Sequence, residues 1–221
     1  MAGSSGKPVR LYAVVPAGEG FASGEIMRDV RTVDCGSIAA LAGEACTQER
    51  NAAAIRHDDI VRAAVEQHSS VVPFRFGTEL RSEPELRWLL EANGQTLSDQ
   101  LSRFCGRLEM GLKARLTPET APGVQLLRLP FGLERIRALA PLAGDRQEKL
   151  GTGPGGTIFE GCYLIGRNAI DRFWDALERI RSAVPELALL GSGPWAPYSF
   201  CDFTLGSSLQ GETGMGAVTN G

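Results

Sequence analysis

The sequence predicts an α+β protein in two domains, each built on a small antiparallel sheet. Two observations predict it. Short stretches of alternating apolar and polar residues recur along the 221-residue chain, bounded by glycine-rich turns, and residues 107–116 are the clearest of them. Between them lie stretches with helical periodicity, and no fixed repeat relates the parts. Hydrophobic residues make up 43% and charged residues 22%, enough apolar material for a proper core. The division is expected near residue 80. It gives a first domain over 1–80 with 1–8 flexible, a second over 81–205, and a small, polar tail over 206–221 expected to be disordered.

VRLYAVV, residues 9–15, reads as a strand with Val9, Leu11, Ala13 and Val15 on one face and Tyr12 and Val14 on the other. PAGEGFASGE holds three glycines and a proline and cannot sustain a helix. IMRDVRTV, the turn DCGS and IAALA read as a hairpin. Residues 49–68 form a helix with Ile60, Ala64 and Val65 on its apolar side. VVPFRF, 71–76, is a strand with Val72, Phe74 and Phe76 on one face. Pro73 lacks an amide donor, which suggests an edge or a bulge. The order β, loop, β, β, α, β is that of a ferredoxin-like fold whose first helix has become a glycine-rich loop.

The second domain opens on Ser82 and Glu85, a capping box, with Leu86, Leu90, Leu97, Leu101 and Phe104 at helical spacing and Gly106 as the stop. In RLEMGLKARL, Leu108, Met110, Leu112, Ala114 and Leu116 face a core, and Arg107, Glu109, Lys113 and Arg115 face water or a charged partner. TPETAPG is a loop, LERIRALAPLAG a short helix, and DRQEKLGTGPGG a polar glycine-rich loop. TIFEGCYLI, 157–165, is a buried strand. Asn168 opens an amphipathic helix through Ile170, Phe173, Trp174, Leu177, Ile180 and Val184, stopped by Pro185. LALL is the last short strand.

A net charge of −3 with interleaved acids and bases argues against nucleic-acid binding. No apolar stretch is long enough to span a membrane, and MAGSSGKP has no apolar signal core, so a cytoplasmic chain is expected. The five cysteines are odd in number, widely spaced and without a CxxC pair, which fits reduced thiols and no zinc site. GTGPGG lacks the lysine of a phosphate loop and precedes a strand. His57 and His68 are eleven residues apart on one helix, about 16 Å, too far for one metal ion. Each reads as a hydrogen-bonded structural histidine. No cofactor, metal site or catalytic motif is expected, and no enzymatic activity.

GPWAPYSF, 193–200, crowds three aromatic rings between and after two prolines. Phe200 and Tyr198 are expected to close the core, and Trp195 to stay partly exposed, as an interface ring would. Phe74, Arg75, Phe76, Trp195 and Tyr198 are the candidate protein-interaction residues.

RLYAVV, HDDIVRAAVEQHSSVVPFRFGT, CGRLEMGLKARL, EGCYLI and GPWAPYSF, in this order, resemble the gas vesicle protein F/L family (GvpF/GvpL). PFRFGT and GPWAPYSF carry most of the specificity, and Ala196 stands where the family typically has proline. The resemblance implies two domains, the first a modified ferredoxin-like fold. It implies a non-enzymatic accessory or minor structural protein of gas vesicle assembly, associated with the vesicle. Implied partners are the hydrophobic major shell protein and other gas vesicle accessory proteins. Two alternatives of other classes are a ferredoxin-like small-molecule sensor with a ligand between its domains, and an enzyme using His57 or a cysteine.

Overall fold

In the computed structural model, residues 7–19, 24–45, 49–116, 122–153 and 156–201 are described. The tail over 206–221, most of the N-terminal arm, the loop at 117–121 and Cys46 lie outside them. The chain builds two antiparallel sheets, with mixed helix and sheet in each half. The first sheet holds β1 (Val9–Pro16), β2 (Arg31–Cys35), β3 (Ile38–Glu44), β4 (Val72–Pro73) and β5 (Glu79–Leu80). Its order is β2-β3-β1-β4, and β5 also pairs with β1. Helix α1 (Arg50–Gln67) covers one face through Ile60, Val61, Ala64 and Val65. Helix α2 (Glu83–Phe104) covers the other through Leu86, Leu89, Leu90, Leu97, Leu101 and Phe104. Packing therefore continues across the break expected at residue 80, because α2 lies beyond it and covers the first sheet.

Strand β1 departs from simple alternation. A register shift between Leu11 and Ala13 marks a bulge opposite β3. The extra residue flips the faces beyond it. Val9, Leu11 and Val14 therefore join α2, while Tyr12, Ala13 and Val15 join α1. The second expected strand starts later than its sequence suggests, since Glu25–Met27 is a 3-10 turn and pairing begins at Arg31. Between β2 and β3 the turn is made by Gly36 at φ +61, a backbone region that favours glycine.

VVPFRF is not one strand. Pairing ends at Pro73, and the chain turns through Phe74–Thr78 before β5 resumes along β1. Gly77 at φ +89 makes that turn, and Thr78 donates its amide and its hydroxyl to the Arg75 carbonyl. Phe74 is buried on the α2 side. Phe76 instead meets His57, 5.8 Å between ring centroids, and the Arg10 guanidinium. The shared face expected for Val72, Phe74 and Phe76 ends at Phe74.

At α2, Ser82 Oγ accepts from the Glu85 amide, and Glu85 reaches back to the Arg81 amide, one residue earlier than a capping box requires. Gly106 at φ +67 ends the helical stretch as expected. The second sheet follows. It holds β6 (Arg107–Leu116), then α3 (Pro122–Arg137), β7 (Ala143–Gly153), β8 (Gly156–Gly166), α4 (Ile170–Ala183) and β9 (Leu187–Trp195), in the order β7-β8-β6-β9. Residues of α4 and the last turns of α3 share one core with Met110, Leu112, Ala114, Phe159, Tyr163 and Ile165, on one face of this sheet.

The DRQEKLGTG part of the expected polar loop is a strand. It supplies most of β7, paired with β8 from Ala143↔Ile165 to Gly153↔Gly156. Its charges fit because β7 is the sheet's edge and Arg146–Gly151 are exposed. The last strand runs to Trp195, well past LALL.

Candidate functional site

The closing aromatic segment is set by β6 and β9. Trp195 pairs with Glu109 across a register shift. Gly193, at φ +111, lies so close that a Cβ there would sit 2.8 Å from the Glu109 carbonyl oxygen. Gly193–Pro194 is a cis peptide bond. Beyond it, Tyr198–Phe200 forms a 3-10 turn and the Phe200 ring is fully buried against the first sheet's core.

Glu109 pins this turn. Its carboxylate accepts from the Ser199 amide at 2.8 Å and from the Ser199 hydroxyl at 2.7 Å. Glu109 is 7% exposed, so the face of β6 expected to meet water is closed here by the turn itself. Gln147 of β7 donates to the Ser199 carbonyl at 2.7 Å, and Cys201 Sγ lies 3.9 Å from the Pro73 carbonyl oxygen. Arg103 of α2 bonds the Asp145 carboxylate, which holds that acid below the usual carboxylate range. The segment thus spans the junction of the two sheets. The sequence shows no sign of Glu109's role except an acid between Leu108 and Met110 in a strongly apolar strand.

Trp195 and Tyr198 reach the same place. With Pro194 and Ala196 they form one wall of a groove of about 300 Å³, and Asp58, Val61, Arg62 and Val65 of α1 form the other. The Trp195 indole is 47% exposed. Tyr198 is half-buried, and burial, then the Asp58 carboxylate, pushes its phenol well above the usual range. The groove carries one acid, one base, two aromatic rings and two valines. It suits an apolar polypeptide surface with a few polar groups.

The other candidates lie apart from it. Phe74 is in the core, and Phe76 is half-buried beside His57. Arg75 is exposed at the tip of its turn, with no acid in ion-pair reach among the described residues. One helix links the two motifs, since His57 faces the Phe74–Thr78 turn and Asp58 faces the groove. His57 Nε2 donates to the Phe74 carbonyl at 2.8 Å, and its ring lies 5.3 Å from that of Tyr12. Burial lowers the pKa of His57 and, despite the Glu19 carboxylate 3.3 Å from Nδ1, that of His68. Both histidines bond other elements, as structural residues do.

Fold and site together define a two-sheet α+β protein with an internally latched aromatic segment and a shallow, partly apolar surface groove. No helix among the described residues is long and apolar enough to cross a membrane. The family described as "Gas vesicle synthesis protein GvpL/GvpF" matches residues 9–127 and 132–202, and the chain belongs to that family. Gas vesicle protein F2 of Halobacterium salinarum is 28% identical over 190 residues, covering 83% of this chain and 85% of its own length. In structure the chain is similar to GvpF from Anabaena, with a TM-score of 0.70 at 18% identity, covering 90% of this chain and 97% of the other. GvpF from Microcystis aeruginosa gives a TM-score of 0.68 at 17% identity, covering 87% and 98%. The match includes both PFRFGT and GPWAPYSF. The first is the turn made by Gly77, and the second is the latched segment.

Proposed function

We propose that this chain is an accessory or minor structural protein of gas vesicle assembly that binds the hydrophobic major shell subunit and catalyses no reaction. Membership of the GvpL/GvpF family supports the gas vesicle setting. The observation that carries the binding role is the exposed Trp195 indole in a groove lined by Val61, Val65 and Tyr198. A gas-filled compartment needs a wall subunit with a strongly apolar face, and such a face aggregates before assembly. A partner that covers it, or seeds its ordered addition, needs apolar contact surface and a rigid scaffold. The Glu109–Ser199 latch supplies the rigidity.

We read the protein as cytoplasmic and vesicle-associated, with other accessory proteins as further partners. We also read its halves as variations on the ferredoxin-like plan. The orders β2-β3-β1-β4 and β7-β8-β6-β9 support this, with the β-α-β-β-α-β sequence complete only in the second half. Capture of the shell subunit by tagged chain tests the binding role. Trp195→Ala is expected to lower recovery, and Trp88→Ala, which removes a 59% exposed ring on α2, is expected to leave it unchanged. Equal recovery with all three chains contradicts the groove's role.

A further inference from the structure

We propose that β7 is a self-association edge, on which a second copy of this chain adds its own β7 antiparallel across a two-fold axis at Gln147. Among the described residues β7 pairs with β8 alone, and it ends the sheet. Arg146 through Gly151 are exposed as residues. Glu148 is exposed as a residue although its side chain is only 23% exposed, so main chain lies open there. An open strand edge of this length is a template for another strand.

The charges on this edge select the partner. Asp145, Arg146, Gln147, Glu148 and Lys149 read minus, plus, neutral, minus, plus. That array is antisymmetric about Gln147. An antiparallel copy centred there sets Asp145 against Lys149 and Arg146 against Glu148, each twice, with Gln147 against itself. Centring on Glu148 opposes two glutamates, and centring on Arg146 opposes two arginines. Registers offset by a single residue are excluded by the pleat, since they would oppose side chains that point to different faces. Of these registers only one is complementary, which is what a self-complementary two-fold interface requires. The two rows also fall on separate faces. Lys149 sits with Glu160 at 2.7 Å on the face turned from α3 and α4, and Glu148 accepts from the Tyr163 hydroxyl at 3.1 Å on the face they cover.

Sedimentation of the full chain over a wide concentration range tests this at low and high salt. The wild type is expected to dimerise, less so in high salt. Arg146→Glu turns two symmetric attractions into repulsions and is expected to weaken the dimer by roughly tenfold or more. Arg146→Glu with Glu148→Arg restores the pairing and the dimer. In a background of Cys105→Ser and Cys162→Ser, which removes the exposed thiol and the one opposite residue 147 on β8, Gln147→Cys is expected to form a disulfide-linked dimer on oxidation, because directly opposite residues lie about 4.5–5.5 Å apart. Leu150→Cys in the same background is not. A chain that stays monomeric at the highest concentration reached overturns the proposal. So does a dimer indifferent to Arg146→Glu, or one that the double exchange fails to restore. None of these readouts involves the shell subunit, so this proposal and the binding role stand or fall separately.

Discussion

Replacing Glu109 by alanine removes the acceptor for both the amide and the hydroxyl of Ser199, at 2.8 and 2.7 Å. Hydrogen bonds to a charged group contribute about 1.5–3 kcal/mol each, and the Ser199 amide would be left without its acceptor. Loss of about 3–5 kcal/mol of folding stability is expected, a large share of what a domain has. With a urea slope of about 2–3 kcal/mol per molar, the unfolding midpoint falls by roughly 1–2 M. Glu109→Gln keeps one acceptor and presents an amide donor to the other Ser199 donor, so about half of that loss is expected. Ser199→Ala removes only the hydroxyl bond. Combined with Glu109→Ala it should cost less than the sum of the two, because both act on one contact. Urea unfolding of the three variants and the wild type makes the measurement. A Glu109→Ala protein within about 1 kcal/mol of the wild type, or strict additivity with Ser199→Ala, would refute the latch.

Trp195→Ala is expected to cost roughly 1–3 kcal/mol of folding stability, because about half of the residue is covered, and to leave the chain folded while lowering shell-subunit capture; thermal unfolding beside the capture assay checks both halves. Gly193→Ala places a Cβ 2.8 Å from the Glu109 carbonyl oxygen at φ +111 and is expected to destabilise by about 2–3 kcal/mol, read by urea midpoint. Acid is expected to destabilise the protein through its histidines. His57 and His68 both have folded pKa values lowered by burial, so the unfolded chain binds protons first as pH falls. Their contribution is intact above the unfolded value of about 6.5 and is lost as pH drops from there toward the folded values, at up to about 1.4 kcal/mol per pH unit for each histidine. His57→Gln should flatten part of that decline in unfolding midpoints taken from pH 7 to 5.

Much of the fold is legible along the chain because local signals agree. Strand β6 alternates from Leu108 to Ala114, α4 keeps Phe173, Leu177 and Ile180 in register, and Gly36 and Gly106 mark their turns with left-handed backbone. The readings fail where a distant partner decides. Strand β7 has no apolar alternation, since a largely exposed edge strand needs none, and its ladder is written in β8. The bulge in β1 is set by its pairing with β3 and reverses the faces of Ala13 and Val14. Phe74 and Phe76 part because Gly77 turns the chain, which periodicity over VVPFRF does not show. At the site, Trp195 and Tyr198 are recognisable from composition alone. Glu109, Gln147 and Asp58 are not, because the Ser199 turn and the Trp195 segment reach them only in the folded chain. Thus the aromatic half of the groove is visible in the sequence and the polar half is not.

The Trp195 groove is proposed to bind the apolar wall subunit. Expressing that subunit alone, with this chain, and with its Trp195→Ala form, and measuring the fraction left in the supernatant, tests it most directly. The expected result is a subunit that aggregates alone, stays in solution with the wild-type chain, and returns to the pellet with the variant. A wall subunit distributed identically in all three preparations would contradict a binding role for the groove.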